Sequence, residues 1–161
     1  MKRLMALMAV LALSVSLIEI GSAQSKHKAP DFKLRSADGK TYQLSKMHGK
    51  VVVVNFWATW CPPCKREIPD FIDVFRKYQS KGLEIIGVSL DQGGWGDVTP
   101  FLKQHKIDYP IVLGNDEIAE AYGGITAIPT TFIIDKNGYV VDGQIGMMSK
   151  AQLEAKIKHL L

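Results

Sequence analysis

The chain has 161 residues, of which 47% are apolar and 22% charged, so it suits one globular domain and excludes disordered, collagen-like and coiled-coil proteins. Its net charge of +4 arises from 20 cations and 16 anions spread along the whole chain, which predicts no basic stripe for nucleic acid. The two cysteines, Cys61 and Cys64, lie three positions apart.

The first 23 residues have the three parts of a secretory signal. A cationic Met1-Lys2-Arg3 precedes the uncharged, almost wholly apolar residues 4–18, and small residues at Gly21-Ser22-Ala23 suit cleavage after Ala23. An uncleaved anchor is the alternative, although this apolar stretch falls short of the roughly 20 residues that span a bilayer. The segment predicts a protein that works outside the cytoplasm, in the periplasm or at the outer face of the cytoplasmic membrane.

After this segment we expect a polar tether over residues 24–30 and a single domain over residues 31–161. Short runs at residues 32–34 and 41–44 flank a turn at Asp38-Gly39, which predicts an N-terminal β-hairpin. The unbroken apolar run at residues 51–56 is typical of a strand that is buried on both faces.

The middle of the chain predicts helices alternating with strands. Apolar residues recur at helical spacing over residues 62–81, although Pro69 lies inside that pattern. A second buried strand is expected at residues 84–90, followed by a helix over residues 99–105 with Pro100 at its first position. A short strand at residues 111–113 and a short helix at residues 117–122 complete this part.

The last third predicts a hairpin and a final helix. Residues 130–134 and 139–144 read as strands joined by a turn at Lys136-Asn137-Gly138. Ser149 and Gln152 have the spacing of a capping box, which marks the start of the last helix. This order of elements indicates an α/β domain with helices on both faces of a central sheet.

The two cysteines stand where the buried strand runs into a helix. Cys61 is expected at the helix N-terminus, where the dipole and free N–H groups favour the thiolate that attacks disulfides. Cys64 lies one turn further in, close enough to close a disulfide but too buried to be attacked first. Pro62 and Pro63 have no N–H to offer the Cys61 thiolate, which favours a reductant over an oxidant.

Other uses of the cysteine pair fit less well. A structural disulfide closing a loop of four residues would constrain the unfolded chain by only about 2 kcal/mol. A zinc site needs further Cys or His ligands, and the four histidines are scattered. A Cu(I) chaperone could use two thiolates, but no Met or His cluster adjoins them. A peroxiredoxin places its nucleophile in a different context. Redox catalysis by a strand–CxxC–helix unit fits best.

Two motifs carry a family resemblance, residues 53–64, which end in Trp60-Cys61-Pro62-Pro63-Cys64, and residues 124–135 around Ile128-Pro129-Thr130. They resemble the thioredoxin superfamily, and more closely its TlpA/ResA-like extracytoplasmic thiol–disulfide oxidoreductases. The resemblance implies a thioredoxin fold, with a central mixed β-sheet flanked by helices on both faces, an N-terminal β-hairpin and an inserted helical segment.

The same resemblance implies where clients bind. Pro129 is expected to be a cis-proline that faces the active-site disulfide. The backbone of Ile128 is expected to pair with an extended client, and Trp60 is expected to contact it beside Cys61.

Glu67 is a candidate third catalytic residue. Cytoplasmic thioredoxins carry a buried Asp on the strand before the motif, whereas Asn55 stands there in this chain and cannot take a proton. Glu67 follows Cys64 by three residues and shares a helical stripe with Phe71 and Val74. Burial would raise its pKa and fit it to move the Cys64 proton. The alternative is a solvated Glu that matches the helix dipole.

The sequence therefore predicts a dithiol–disulfide cycle that needs no dissociable cofactor and no metal. Cys61 attacks a client disulfide, and Cys64 resolves the mixed disulfide. By resemblance the clients include apocytochrome c or its maturation partners and copper-site assembly proteins. A membrane electron-donor protein is expected for re-reduction, because an oxidising compartment lacks a reductase pool. We expect a monomer with no nucleic-acid partner.

Overall fold

The computed structural model describes residues 27–161, which form a mixed sheet with helices on both faces. The strands are β1 (His27–Lys28), β2 (Lys33–Arg35), β3 (Thr41–Gln43), β4 (Val51–Trp57), β5 (Leu83–Ser89), β6 (Ile111–Leu113), β7 (Thr130–Ile134) and β8 (Tyr139–Ile145). The α-helices are α1 (Pro62–Tyr78), α2 (Trp95–His105), α3 (Asp116–Ala121) and α4 (Lys150–Ile157). The predicted signal segment lies outside the described residues.

Six strands form the central sheet in the order β1-β8-β7-β4-β5-β6, and β2 pairs with β3 as the predicted hairpin. β4 is parallel to β5 and antiparallel to β7, so the sheet is mixed. All seven residues of β4 are buried, because neighbouring strands and packed elements cover both of its faces. The strand that leads to the cysteines is thus at the centre of the fold.

Each face of the sheet has its own core. The alternate residues Val51, Val53 and Trp57 pack towards a core that includes apolar side chains of α1, α2 and α4. The intervening residues Val52, Val54 and Phe56 pack towards a second core that includes α3 and residues around the hairpin. This confirms the predicted thioredoxin-like architecture with its inserted helical segment.

The segment expected to be a tether is partly folded. His27 pairs with Val140 and Lys28 with Tyr139 at the edge of the sheet. Ala29 is buried, and the Pro30 carbonyl accepts a hydrogen bond of 3.0 Å from the Tyr122 hydroxyl. Residues 27–30 therefore belong to the domain, because backbone pairing and burial hold a polar stretch that composition alone assigned to a linker.

The helix that was expected to start at residue 99 is longer at its N-terminus. It starts at Trp95, so Pro100 lies inside α2 rather than at its first position. Gly94 precedes the helix with a φ of 57°, a conformation that glycine adopts without steric cost. Asp97 in the first turn accepts a hydrogen bond from the Gly93 N–H, which helps the chain enter the helix at this earlier point.

Capping decides the remaining helix starts. Asn115 accepts the Ile118 N–H at 2.9 Å and starts α3 one residue before the predicted bound. The predicted capping box of Ser149 and Gln152 is confirmed.

Across residues 27–161, we find no helix with the length and apolar character needed to cross a bilayer.

Candidate functional site

Cys61 and Cys64 form a disulfide at the N-terminus of α1, with their Cα atoms 5.3 Å apart. Cys61 is the N-cap residue, and its sulfur accepts a hydrogen bond of 3.3 Å from the Cys64 N–H. Pro62 and Pro63 occupy the first two helical positions, so Cys64 provides the first backbone N–H after the N-cap. The predicted loss of two donors around the Cys61 sulfur is therefore present in the structure.

Accessibility separates the two cysteines less than expected. In the disulfide form Cys61 is 2% exposed and Cys64 is 0% exposed, so burial alone does not distinguish the cysteine that is attacked first. The loop before β7 contributes to the burial of Cys61, since the Cys61 Sγ lies 3.7 Å from the carbonyl oxygen of Ile128.

The loop before β7 approaches the disulfide as predicted. The Ile128–Pro129 peptide bond is cis. The Thr130 hydroxyl donates to the Ala127 carbonyl at 2.7 Å, and the Gly146 N–H donates to the Pro129 carbonyl at 2.8 Å. These two hydrogen bonds hold the loop beside Cys61, so its backbone can form the wall of a client site.

Three exposed apolar side chains lie next to Cys61 in sequence or near the Pro129 loop across the sheet. Trp60, next to Cys61, is 63% exposed. Ile145, which pairs with Thr130 beside Pro129, is 72% exposed, and Met147 is 44% exposed. The sequence reasoning missed Ile145 and Met147, because an apolar residue at a strand end does not reveal whether it is covered. If these side chains form one continuous patch, that patch is a candidate interaction site.

Glu67 lies in a buried polar network behind the disulfide. Its carboxylate accepts hydrogen bonds of 2.9 Å from the Asn55 side chain and from the Met148 N–H. Asn55 also donates to the Thr131 hydroxyl at 3.0 Å. Burial raises the pKa of Glu67 from 4.5 to about 7, although both hydrogen bonds act in the opposite direction. The solvated alternative for Glu67 is wrong, because the side chain is buried.

Asp91, which the sequence reasoning did not single out, anchors the loop that carries the cysteines. Its buried carboxylate accepts the Thr59 N–H at 3.0–3.1 Å, the Thr59 hydroxyl and the Ser89 hydroxyl. Thr59 lies two residues before Cys61, and the Cys61 N–H donates to the Ala58 carbonyl. The carboxylate thus ties the end of β5 to the turn that presents Trp60 and Cys61.

We expect Asp91→Ala to destabilise the oxidised protein by about 2–4 kcal/mol, because it leaves the Thr59 N–H and the Thr59 and Ser89 hydroxyls without their acceptor. Asp91→Asn retains an acceptor oxygen and should lose less. Urea unfolding measures both variants. Equal stability of Asp91→Ala and the wild type would contradict the anchoring role.

Metal ligands are sparse in the part of the chain that the structure describes. Within residues 27–161, no group of three or more His, Cys, Asp or Glu side chains could hold a metal ion. A Cu(I) site would have to rest on the two cysteines themselves, which here share a disulfide.

Comparisons with known proteins agree with this geometry. The model of the AhpC/TSA family matches residues 25–142. The thiol-disulfide oxidoreductase ResA of Bacillus thuringiensis strain Al Hakam is 36% identical over 133 residues, which cover 83% of this chain and 76% of that protein.

Solved structures give the same picture. A thiol:disulfide interchange protein of the thioredoxin family from Chlorobium tepidum TLS has a TM-score of 0.77 at 36% identity, covering 84% of this chain and 96% of that one. StoA from Bacillus subtilis has a TM-score of 0.69 at 30% identity, covering 79% and 96%. With this family match, these relatives and a Cys61–Cys64 disulfide at the start of α1, the chain belongs to the AhpC/TSA family and is a thioredoxin-fold thiol–disulfide oxidoreductase that acts on disulfide-containing clients.

Proposed function

We propose that this protein reduces disulfide bonds of client proteins outside the cytoplasm. The observation that supports reduction rather than oxidation of clients is the small number of backbone N–H donors near the Cys61 sulfur. Pro62 and Pro63 have no N–H, so the first donor after Cys61 is the Cys64 N–H. A thiolate with fewer donors is less stabilised, so the dithiol form gives up its electrons more readily. The redox-active pair is Cys61 and Cys64.

The reaction transfers two electrons from the dithiol to the client. The Cys61 thiolate attacks one sulfur of the client disulfide, which releases the other client sulfur as a thiolate and forms a mixed disulfide. Cys64 then loses its proton and attacks the Cys61 sulfur. The client leaves as a dithiol, and the Cys61–Cys64 disulfide remains.

Glu67 is proposed to take the Cys64 proton during resolution. Cys64 and Glu67 are three residues apart on α1, which places them on the same side of the helix. A carboxyl with a pKa of about 7 is partly ionised at neutral pH, which suits a group that both accepts and returns a proton. Asn55 and the Met148 N–H orient the carboxylate.

Client binding is assigned to Trp60, Ile128 and Pro129, together with Ile145 and Met147. Trp60 offers an exposed aromatic face, and Ile128 offers backbone groups beside the sulfur. An extended client segment could use the backbone for pairing and the apolar side chains for packing.

The cellular setting follows from the N-terminal segment and the chemistry. We propose that residues 1–23 direct a monomeric protein to the periplasm or the outer face of the cytoplasmic membrane. A membrane dithiol protein would return the disulfide to the dithiol, since the reaction consumes two electrons per client. Clients of the cytochrome c maturation or copper-site assembly type are proposed.

Insulin reduction and a redox titration test this function. We expect the reduced protein to cleave insulin disulfides, and its potential to lie nearer the about −270 mV of thioredoxin than the about −120 mV of DsbA. Cys61→Ser is the matched inactive control. A potential near that of DsbA would contradict the direction. Turnover of hydrogen peroxide, or Cu(I) retention without insulin reduction, would favour the two alternatives.

A further inference from the structure

A groove runs over the face of β7 and β8 away from α1. It has a volume of about 840 Å³, and its apolar lining includes Tyr122, Phe132 and Val140. A second cavity of about 290 Å³ continues it, and the two share Tyr122, Gly123, Phe132 and Gly143. We call the two cavities together the β8 groove.

The β8 groove reaches the candidate client site. Its second cavity is lined by Thr130, which follows Pro129 in the chain, and by Ile145, which pairs with Thr130 across the sheet. Its other end lies at β1, where His27 and Lys28 line the wall. From Ile145 to Val140 the strand covers about 17 Å at about 3.3 Å per residue, so five or six extended client residues would span it.

The floor of the groove is preformed. The rings of Phe56, Tyr122 and Phe132 pack with centroid distances of 5.1–6.1 Å. The Tyr122 hydroxyl donates to the Pro30 carbonyl. On β8 the residue opposite Phe132 is Gly143, whose missing side chain leaves the Phe132 ring open. A ligand would therefore meet an apolar surface built from packed aromatic rings.

The two ends of the β8 groove differ in charge. Lys28 lies at the β1 end, and the Lys156 ammonium donates a hydrogen bond of 2.6 Å to Asp142, the acidic residue of the lining. An acidic group on the ligand is therefore favoured near Lys28.

We propose that the β8 groove binds the client segment on one side of its reacting cysteine, with a large apolar side chain over Phe132 and an acidic side chain near Lys28. This inference rests on the proposed function, since the groove continues the surface beside Pro129. It makes the client class more specific, namely disulfides flanked by an extended apolar and acidic segment.

The test uses peptides that are disulfide-linked dimers through a single cysteine. A short peptide ends one residue from the cysteine. Two long peptides carry six further residues, before or after the cysteine, with Phe in the middle and Glu at the end. For the wild type we expect KM about tenfold lower for one long peptide than for the short one, as burial of one large apolar side chain allows.

Gly143→Val blocks the groove where its two cavities meet. A Cβ at Gly143 would lie 3.6 Å from the Phe132 ring, an ordinary contact, and valine suits a strand. We expect this variant to lose the advantage of the long peptide and to reduce the short one normally. Tyr139→Val, on the same strand but outside the groove, is the matched control. Lys28→Glu should transfer the preference to a long peptide ending in Lys.

The outcomes separate the two claims. Failure to reduce even the short peptide would overturn the proposed function. Equal KM for short and long peptides, or an unaffected Gly143→Val, would overturn the groove alone. A photo-crosslinking benzoylphenylalanine at Val140 identifies the occupant. Cross-links to the long peptide support the proposal, whereas cross-links to a second copy or to residues 1–26 overturn it.

Discussion

Cys64→Ser should accumulate mixed disulfides with client proteins, whereas Cys61→Ser should accumulate none. The Cys61 sulfur lies beside the Ile128 carbonyl, at the loop where a client is expected to bind, while Cys64 is buried one turn inside α1. Because Cys61 rather than Cys64 lies beside this loop, we expect Cys61 to exchange with the client sulfur. Without Cys64 the mixed disulfide has no resolving thiol and persists.

Non-reducing gels with mass spectrometry of the trapped bands measure this difference. The Cys61→Ser, Cys64→Ser double variant shows the background without any thiol. Trapping of similar amounts by both single variants would refute the assignment of attacking and resolving roles.

Glu67→Gln should change how the stability of the oxidised protein depends on pH. Burial holds the pKa of Glu67 at about 7, against 4.5 for an ordinary glutamate. Between these values the folded state binds more protons than the unfolded state, so the wild type loses stability as pH rises. The loss is complete above about pH 7 and amounts to about 3 kcal/mol. Gln does not titrate, so its variant lacks this contribution.

Urea unfolding of both proteins from pH 4 to pH 8 isolates the effect, because all other groups are shared. The unfolding free energy of the variant, relative to the wild type, should rise over this window. Asp73→Asn, an exposed carboxylate on the same helix, is the control and should show no such rise. A constant difference between Glu67→Gln and the wild type would contradict the raised pKa.

Glu67→Gln should also slow disulfide exchange at neutral pH by on the order of a hundredfold, the usual scale of general acid–base catalysis. The step in the wild-type rate profile near pH 7 should disappear. If the rate profile keeps its step, the buried carboxyl has a structural role and another group takes the Cys64 proton.

The sequence predicted the centre of the site well, because that part depends on local order. The run that forms β4, the prolines that begin α1 and the two cysteines follow one another along the chain. Capping gave the start of α4, since Ser149 and Gln152 interact within one turn. The burial of Glu67 followed from its helical stripe, which is also a local pattern.

The remaining features depend on contacts between distant residues. Composition indicated a tether over residues 24–30, yet His27 and Lys28 pair with β8, and Ala29 and Pro30 pack against the domain. Asp91 meets Thr59 across 32 positions, and Met148 meets Glu67 across 81. The spacing of apolar residues in the sequence does not reveal such pairs, because each contact depends on how β5 and β8 lie against α1 and the loop before it.

By itself the sequence determined the chemistry of this protein, since a CxxC pair between a buried strand and a helix already specifies disulfide exchange. Only the tertiary structure decided what surrounds that chemistry. It covered Cys61 with the Ile128 loop, left Ile145 and Met147 exposed, and opened a groove over Phe132. The physical reason is that exposure belongs to the packed fold, where the missing side chain of Gly143 matters only because β8 lies against β7.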